Sequence, residues 1–171
     1  MNQEDISEII PHLYLSNWDT SNNINIIQKY NIKAVITLET RQKPSYIMDF
    51  YKKNNIDFMY IFLYDSNDSN IEKYFNSTFS FIDKHISRDE NVLVHCWAGV
   101  SRSATIVLNY MLRKFYENGN SNICECNSLN NALKFASEER PIINPNAGFK
   151  FKLFQQAKNY REKAIQQSMM Y

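Results

Sequence analysis

Glycine is almost missing from this chain, three residues in 171, so each one marks a place where the backbone has use for it. Gly99 lies in a short loop between an apolar run and a helical stretch. Gly119 follows the helical stretch ending Phe115-Tyr116-Glu117-Asn118 and suits a helix C-terminus. Gly148 sits in the turn Asn144-Pro145-Asn146-Ala147-Gly148-Phe149 that opens the last helix. Cysteine is equally scarce, with three residues, which fits a reduced, cytoplasmic protein with nuclear entry open to it. Cys124 and Cys126 are too closely spaced and too isolated for a structural zinc site, which would want two more ligands; both read as loop cysteines, with a protective disulfide to Cys96 as the alternative. An excess of charge is missing too. The formal net charge is +1, so no broad field advertises nucleic acid or an anionic membrane, and neither is expected as a partner. No run of about eighteen apolar residues offers a spanning helix. Residues 1–5 lack the basic and apolar regions of a leader, position 2 is Asn2 rather than an acylated glycine, and no prenylation box stands at the end. No linker, repeat or composition break divides the chain, and one domain over 1–171, acting as a monomer, is expected.

What is present is an alternation of apolar runs and helical stretches. Residues 9–15 read as an edge strand, since Pro11 cannot donate to a central ladder. The stretch after Trp18-Asp19 is helical through Ile24, Ile27 and Gln28. Strands are expected at 33–38, at 58–64 and around Val92. Helices are expected at 45–54, 103–118, 128–140 and 146–167. Ser69-Asn70-Ile71-Glu72 has the spacing of a capping box, opening a helix whose Tyr74, Phe75, Thr78, Phe79 and Ile82 form one stripe. This pattern implies an α/β fold with a mainly parallel central sheet and helices on both faces.

The chemistry is concentrated in His95-Cys96-Trp97-Ala98-Gly99-Val100-Ser101-Arg102-Ser103. A thiol ends a buried strand, and a guanidinium follows six positions later where a helix begins. A loop this short must curl, so that its N–H groups converge on a centre suited to a tetrahedral oxyanion. Arg102 adds a planar two-pronged donor for two phosphoryl oxygens. Cys96 would lie beneath, in surroundings that favour thiolate over thiol. The string is not the nucleotide-binding P-loop, which needs G-x-x-x-x-G-K-[ST]. An acid is expected after the strand at 58–64, because strands that empty at one edge of a sheet bring their following loops together. Asp65 comes first there, 31 positions before Cys96, with Asp68 as the fallback. His95 should point to the opposite face from Cys96 and hold the loop from behind, rather than take the thiol proton.

The stretch Val92-Leu93-Val94-His95-Cys96, with Ser101-Arg102-Ser103-Ala104-Thr105, resembles the active-site motif of the dual-specificity branch of the cysteine-dependent protein phosphatases. Arg140-Pro141-Ile142-Ile143-Asn144-Pro145-Asn146 is similar to that family's turn before its final helix. The resemblance implies hydrolysis of phosphotyrosine and phosphoserine or phosphothreonine on phosphoproteins. It runs through a cysteinyl phosphate, with no metal and no cofactor. It favours Asp65 as general acid, nine residues before Tyr74-Phe75. It gives Ser103 a hydroxyl donated to the departing thiolate, beside the plainer reading of a helix N-cap. Residues 97–102 form the phosphate loop, with Trp97 and Val100 shaping its rim. The same chemistry on a phosphoinositide or an RNA 5′-phosphate, and a non-catalytic phosphoprotein-binding module, stand as alternatives. The loop carries no lysine for extra phosphates, and Cys96, Asp65 and Arg102 are all present.

Overall fold

The computed structural model describes residues 4–117 and 126–170. Five strands form one sheet: β1 (Ile6–Ile10), β2 (Leu13–Ser16), β3 (Ile32–Leu38), β4 (Asp57–Ile61) and β5 (Asn91–His95), in the order β1-β2-β5-β3-β4. Only the β1–β2 pair is antiparallel; β2–β5, β5–β3 and β3–β4 are parallel. The four parallel strands therefore all empty at one edge of the sheet, where loops after different strands meet.

Central strands of a sheet covered on both faces read as continuous apolar runs, and β3 and β5 do so. Alternation sorts their side chains. Ala34, Ile36, Leu38, Val92 and Val94 join the larger core, while Val35 and Leu93 join the smaller one. On the larger side lie α4 (Phe75–Ile86), α5 (Arg102–Glu117), α6 (Leu129–Glu139) and α7 (Ala147–Ser168). On the other side lie α2 (Ile24–Lys29) and α3 (Ser45–Lys53), with Ile27, Ile47 and Tyr51 packed inward. A short α1 (Trp18–Ser21) precedes α2. Every residue of α5 from Arg102 to Leu112 is buried, because α4, α6 and α7 enclose the helix against the sheet.

The expected α/β architecture is present, with local corrections. Residues 9–15 are not one strand. Pro11 and His12 turn the chain between β1 and β2, with His12 left-handed at φ 69° and its N–H donating to Glu8 Oε1. The single helix after Trp18 is two short ones, each begun by an asparagine whose side chain caps it, Asn17 and Asn23. Strand β4 stops at Ile61, three residues early, because Leu63 O leaves the ladder to accept from Arg102. The capping box at 69–72 does not form. Ser69 Oγ instead bonds Ser66 Oγ, Asn70 Oδ1 accepts the Lys73 N–H, and a 3₁₀ turn (Glu72–Tyr74) leads into α4. Asn118, Gly119 and Cys124 lie outside the described residues. Cys126 is fully buried and disulfide-bonded, which corrects the expectation of a wholly reduced chain; Cys96 is free.

Candidate active site

Strand β5 delivers Cys96 to the sheet edge, and α5 begins at Arg102, so the residues between have only one turn in which to connect them. Gly99 makes that turn at φ +65°, and a Cβ there would lie 2.5 Å from Ser16 O and 2.6 Å from Arg140 Nη2. No side chain fits.

The loop's polar groups are divided by direction. Its carbonyls are all engaged by the surrounding protein. Trp97 O accepts the Trp18 N–H, Val100 O the Asn144 N–H, and Ser101 O the Thr105 N–H. Arg140, 3% exposed, donates from Nε to Gly99 O at 2.8 Å and from Nη2 to Ala98 O at 3.4 Å. Its remaining nitrogen, Nη1, pairs with Asp5. By contrast, the backbone N–H groups of Trp97, Ala98, Gly99, Val100 and Ser101 donate to no other group among the described residues. Carbonyls drawn outward leave amides turned inward, the nest expected for an oxyanion.

Around this nest the expected residues assemble. Cys96 is 1% exposed, and its Sγ lies 3.1 Å from Ser103 Oγ. Ser103 is the second residue of α5, so the N-cap alternative is set aside. Arg102 is buried. Its Nη1 donates to Leu63 O at 3.0 Å and its Nη2 to Glu39 Oε2 at 3.2 Å, while Nε has no hydrogen-bond partner among the described residues. Asp65 Oδ2 stands 3.9 Å from that Nε, and Asp65 Oδ1 accepts from Ser101 Oγ at 2.8 Å and Asn146 Nδ2 at 2.7 Å. Asp68 is exposed and stays out of the cluster. His95 lies on the opposite face of β5 from Cys96, as expected, its Nε2 2.6 Å from Thr37 Oγ1 and its Nδ1 3.4 Å from Cys96 O. Burial, and then the charge of Lys43, hold His95 well below the usual imidazole range, so the ring is neutral.

Three members of this cluster were not expected as site residues: Glu39, Arg140 and Asn146. Glu39 follows β3 as Asp65 follows β4, and the sheet-edge argument that locates one covers the other. Glu39 is 4% exposed, with Oε1 taken by the Thr40 N–H and hydroxyl, which leaves Oε2 for Arg102. Asn146 divides its amide. Oδ1 caps α7 through the Phe149 N–H, and Nδ2 holds Asp65. Sequence alone marks Arg140 and Asn146 only as part of a turn, and Glu39 not at all.

Parallel strands emptying onto an amide nest, with a thiol at its floor and an arginine at its wall, define the class of the cysteine-dependent phosphatases. The family model of the dual specificity phosphatase catalytic domain matches residues 13–159, and the chain belongs to that family. It is 33% identical over 137 residues to dual specificity protein phosphatase 1 of Arabidopsis thaliana, a match covering 80% of this chain and 61% of that protein. Against dual specificity protein phosphatase 7 of Homo sapiens it is 32% identical over 142 residues, covering 83% of this chain and 30% of the relative. The chain thus spans less than two-thirds of the length of these relatives. Its fold matches the crystal structure of DUSP15 with a TM-score of 0.76, covering 96% of this chain and 97% of that one at 24% identity.

Proposed function

We propose that the chain hydrolyses phosphate monoesters on proteins, phosphotyrosine and phosphoserine or phosphothreonine alike, acting as a monomer in the cytoplasm. The observation that carries the reading is the segregated loop, with every carbonyl from Trp97 to Ser101 engaged and the amides left without a partner among the described residues. Arg102 Nε, which has no hydrogen-bond partner among the described residues, belongs to the same arrangement. Leu63 O and Glu39 grip the two terminal nitrogens, leaving the Nε edge for phosphoryl oxygens. Glu39 is thus a positioning residue for Arg102. Removing one partner of such a buried pair would leave an uncompensated charge, at a cost of about 3–5 kcal/mol.

Chemistry follows from these positions. The substrate phosphate accepts from the loop amides and Arg102, which oppose the charge that develops on its equatorial oxygens. Cys96 attacks phosphorus as the thiolate; the S–P bond forms while the P–O bond to the side chain breaks. Asp65 gives its proton to the leaving oxygen. Water then attacks the cysteinyl phosphate and surrenders a proton to Asp65, an O–P bond replacing the S–P bond. Ser103, within hydrogen-bonding distance of Sγ, donates to the departing thiolate. The neutral, doubly held His95 braces the Cys96 backbone and takes no part in proton transfer.

Cys96→Ser is the direct test. Turnover of a phosphotyrosine peptide should vanish, because a serine hydroxyl in the same nest stays protonated, while binding of the peptide should persist through Arg102 and the amides. Hydrolysis by the purified variant above a no-enzyme control would overturn covalent catalysis at this residue.

A further inference from the structure

Residues 39–43 carry charge at alternate positions, and each charge reaches a different part of the site. Glu39 holds Arg102. Lys43 is buried, bonded to Ser21 Oγ and Asn22 Oδ1, with its ammonium 4.9 Å from the centre of the Trp18 ring. Arg41, between them, is exposed, and its guanidinium carbon lies 4.2 Å from the centre of the Trp97 ring. The outer two charges are spent inside the protein. Arg41 has no carboxylate partner among the described residues.

Trp97 directly follows Cys96 in the phosphate loop and is 46% exposed, with its ring 6.3 Å from that of Trp18. A guanidinium over an aromatic face uses that face for attraction and keeps its N–H edge for a carboxylate or phosphate. The stacking also restrains a side chain that would otherwise lose rotamer freedom on binding. The nearest acid on its own segment, Glu39, is already paired with Arg102. Arg41 therefore presents uncommitted positive charge against a residue of the phosphate loop itself.

We propose that Arg41, seated on Trp97, is a specificity-determining residue that binds a second anionic group of the substrate. That group, a carboxylate or a phosphate, lies within about three residues of the phosphoresidue, given roughly 3.3–3.6 Å of reach per extended residue. The proposal rests on the phosphatase reading above.

A phosphotyrosine peptide with neutral flanks, the same peptide with an aspartate walked from three residues before to three residues after the phosphotyrosine, and doubly phosphorylated versions separate the two anion sources. Wild type should turn over at least one aspartate peptide with kcat/KM about fivefold above the neutral parent, the difference residing in KM and shrinking at high salt. A second phosphate, with about twice the charge, should raise the preference further. Arg41→Ala should erase both preferences while leaving p-nitrophenyl phosphate, which has no flank, within twofold of wild type. Arg41→Glu should invert them. Equal kcat/KM for neutral and anionic peptides in wild type, or a preference that survives Arg41→Ala, would overturn the subsite. Failure of wild type on p-nitrophenyl phosphate itself would instead overturn the phosphatase reading on which the subsite depends.

Discussion

Asp65 and Asp68 stand three residues apart in one polar turn, and their neighbours decide between them. Both are exposed, but Asp65 is held by Ser101 and Asn146 with its second oxygen turned toward Arg102, whereas Asp68 stands outside the cluster. Asp65→Asn should therefore lower kcat by roughly 10²–10⁴, the ordinary worth of a positioned acid, and Asp68→Asn should cost little. The size of the loss depends on the leaving group. A p-nitrophenolate departs with little protonation, so the defect should be smaller on p-nitrophenyl phosphate than on a phosphoserine peptide. Steady-state kinetics of both variants on both substrates check this; a loss confined to Asp68→Asn would transfer the acid role. Arg102 makes the same point. Its chemistry rests on which nitrogens the protein occupies and which it leaves, and Glu39 and Leu63 decide that from two different strand ends.

Helix α7 reaches the acid turn through its first residues. Asn146 caps the helix with one end of its amide and holds Asp65 with the other, and the Gly148 N–H donates to Asn67 Oδ1. The contact is close enough to require glycine, since a Cβ on residue 148 would overlap the Asn67 backbone. Gly148→Ala should push the acid turn away from the loop while the body of α7, anchored by the buried Phe149, Leu153, Ala157 and Tyr160, stays docked. Misplacing a catalytic group by about 1 Å can cost on the order of 10² in rate, so kcat on a phosphoserine peptide should fall at least tenfold with the far-ultraviolet dichroism unchanged. An unchanged kcat would mean that the α7 start does not hold the acid in place. The turn between β1 and β2 is also an element-scale outcome. Periodicity reads 9–15 as one strand because both halves are apolar, and only the left-handed His12 and the Glu8 bond reveal the reversal.

Across the whole molecule, a lysine from the segment after β3 is enclosed against α1, and this couples stability to pH. Burial pulls the Lys43 ammonium from its ordinary 10.5 down to about 7. Below pH 7 both folded and unfolded chains hold this proton, and the cost of burying the charge is present in full. Between about 7 and 10.5 the unfolded chain binds more protons, so this residue's contribution to stability rises with pH over that window. Lys43→Met removes the titration. The Tm of wild type relative to Lys43→Met should therefore climb between pH 6.5 and pH 9 in thermal melts, and a constant difference would show that Lys43 does not titrate there. Wild type should lose stability on acidification below the ordinary imidazole range for the same reason. There the unfolded chain takes up a proton that the buried His95 refuses.

Local signals determined what neighbouring residues could settle among themselves. Apolar periodicity located β3, α3 and the body of α4, and strand–helix alternation implied the mostly parallel sheet. The nine residues from His95 to Ser103 were legible because a strand, a glycine and a helix start leave such a short loop little choice of shape. The direction of His95 followed from strand alternation alone. Tertiary structure decided everything that joins distant segments. Glu39 meets Arg102 across 63 positions, Asn146 meets Asp65 across 81, and Arg140 turns the Gly99 carbonyl outward across 41. None of these pairs has a period or a spacing to betray it, because each is made by the order in which strands lie in the sheet and by the packing of helices on its faces. The capping box at 69–72 failed for a more local reason. Ser69 had Ser66 to bond, and a four-residue pattern cannot register a competitor that the folded turn brings close.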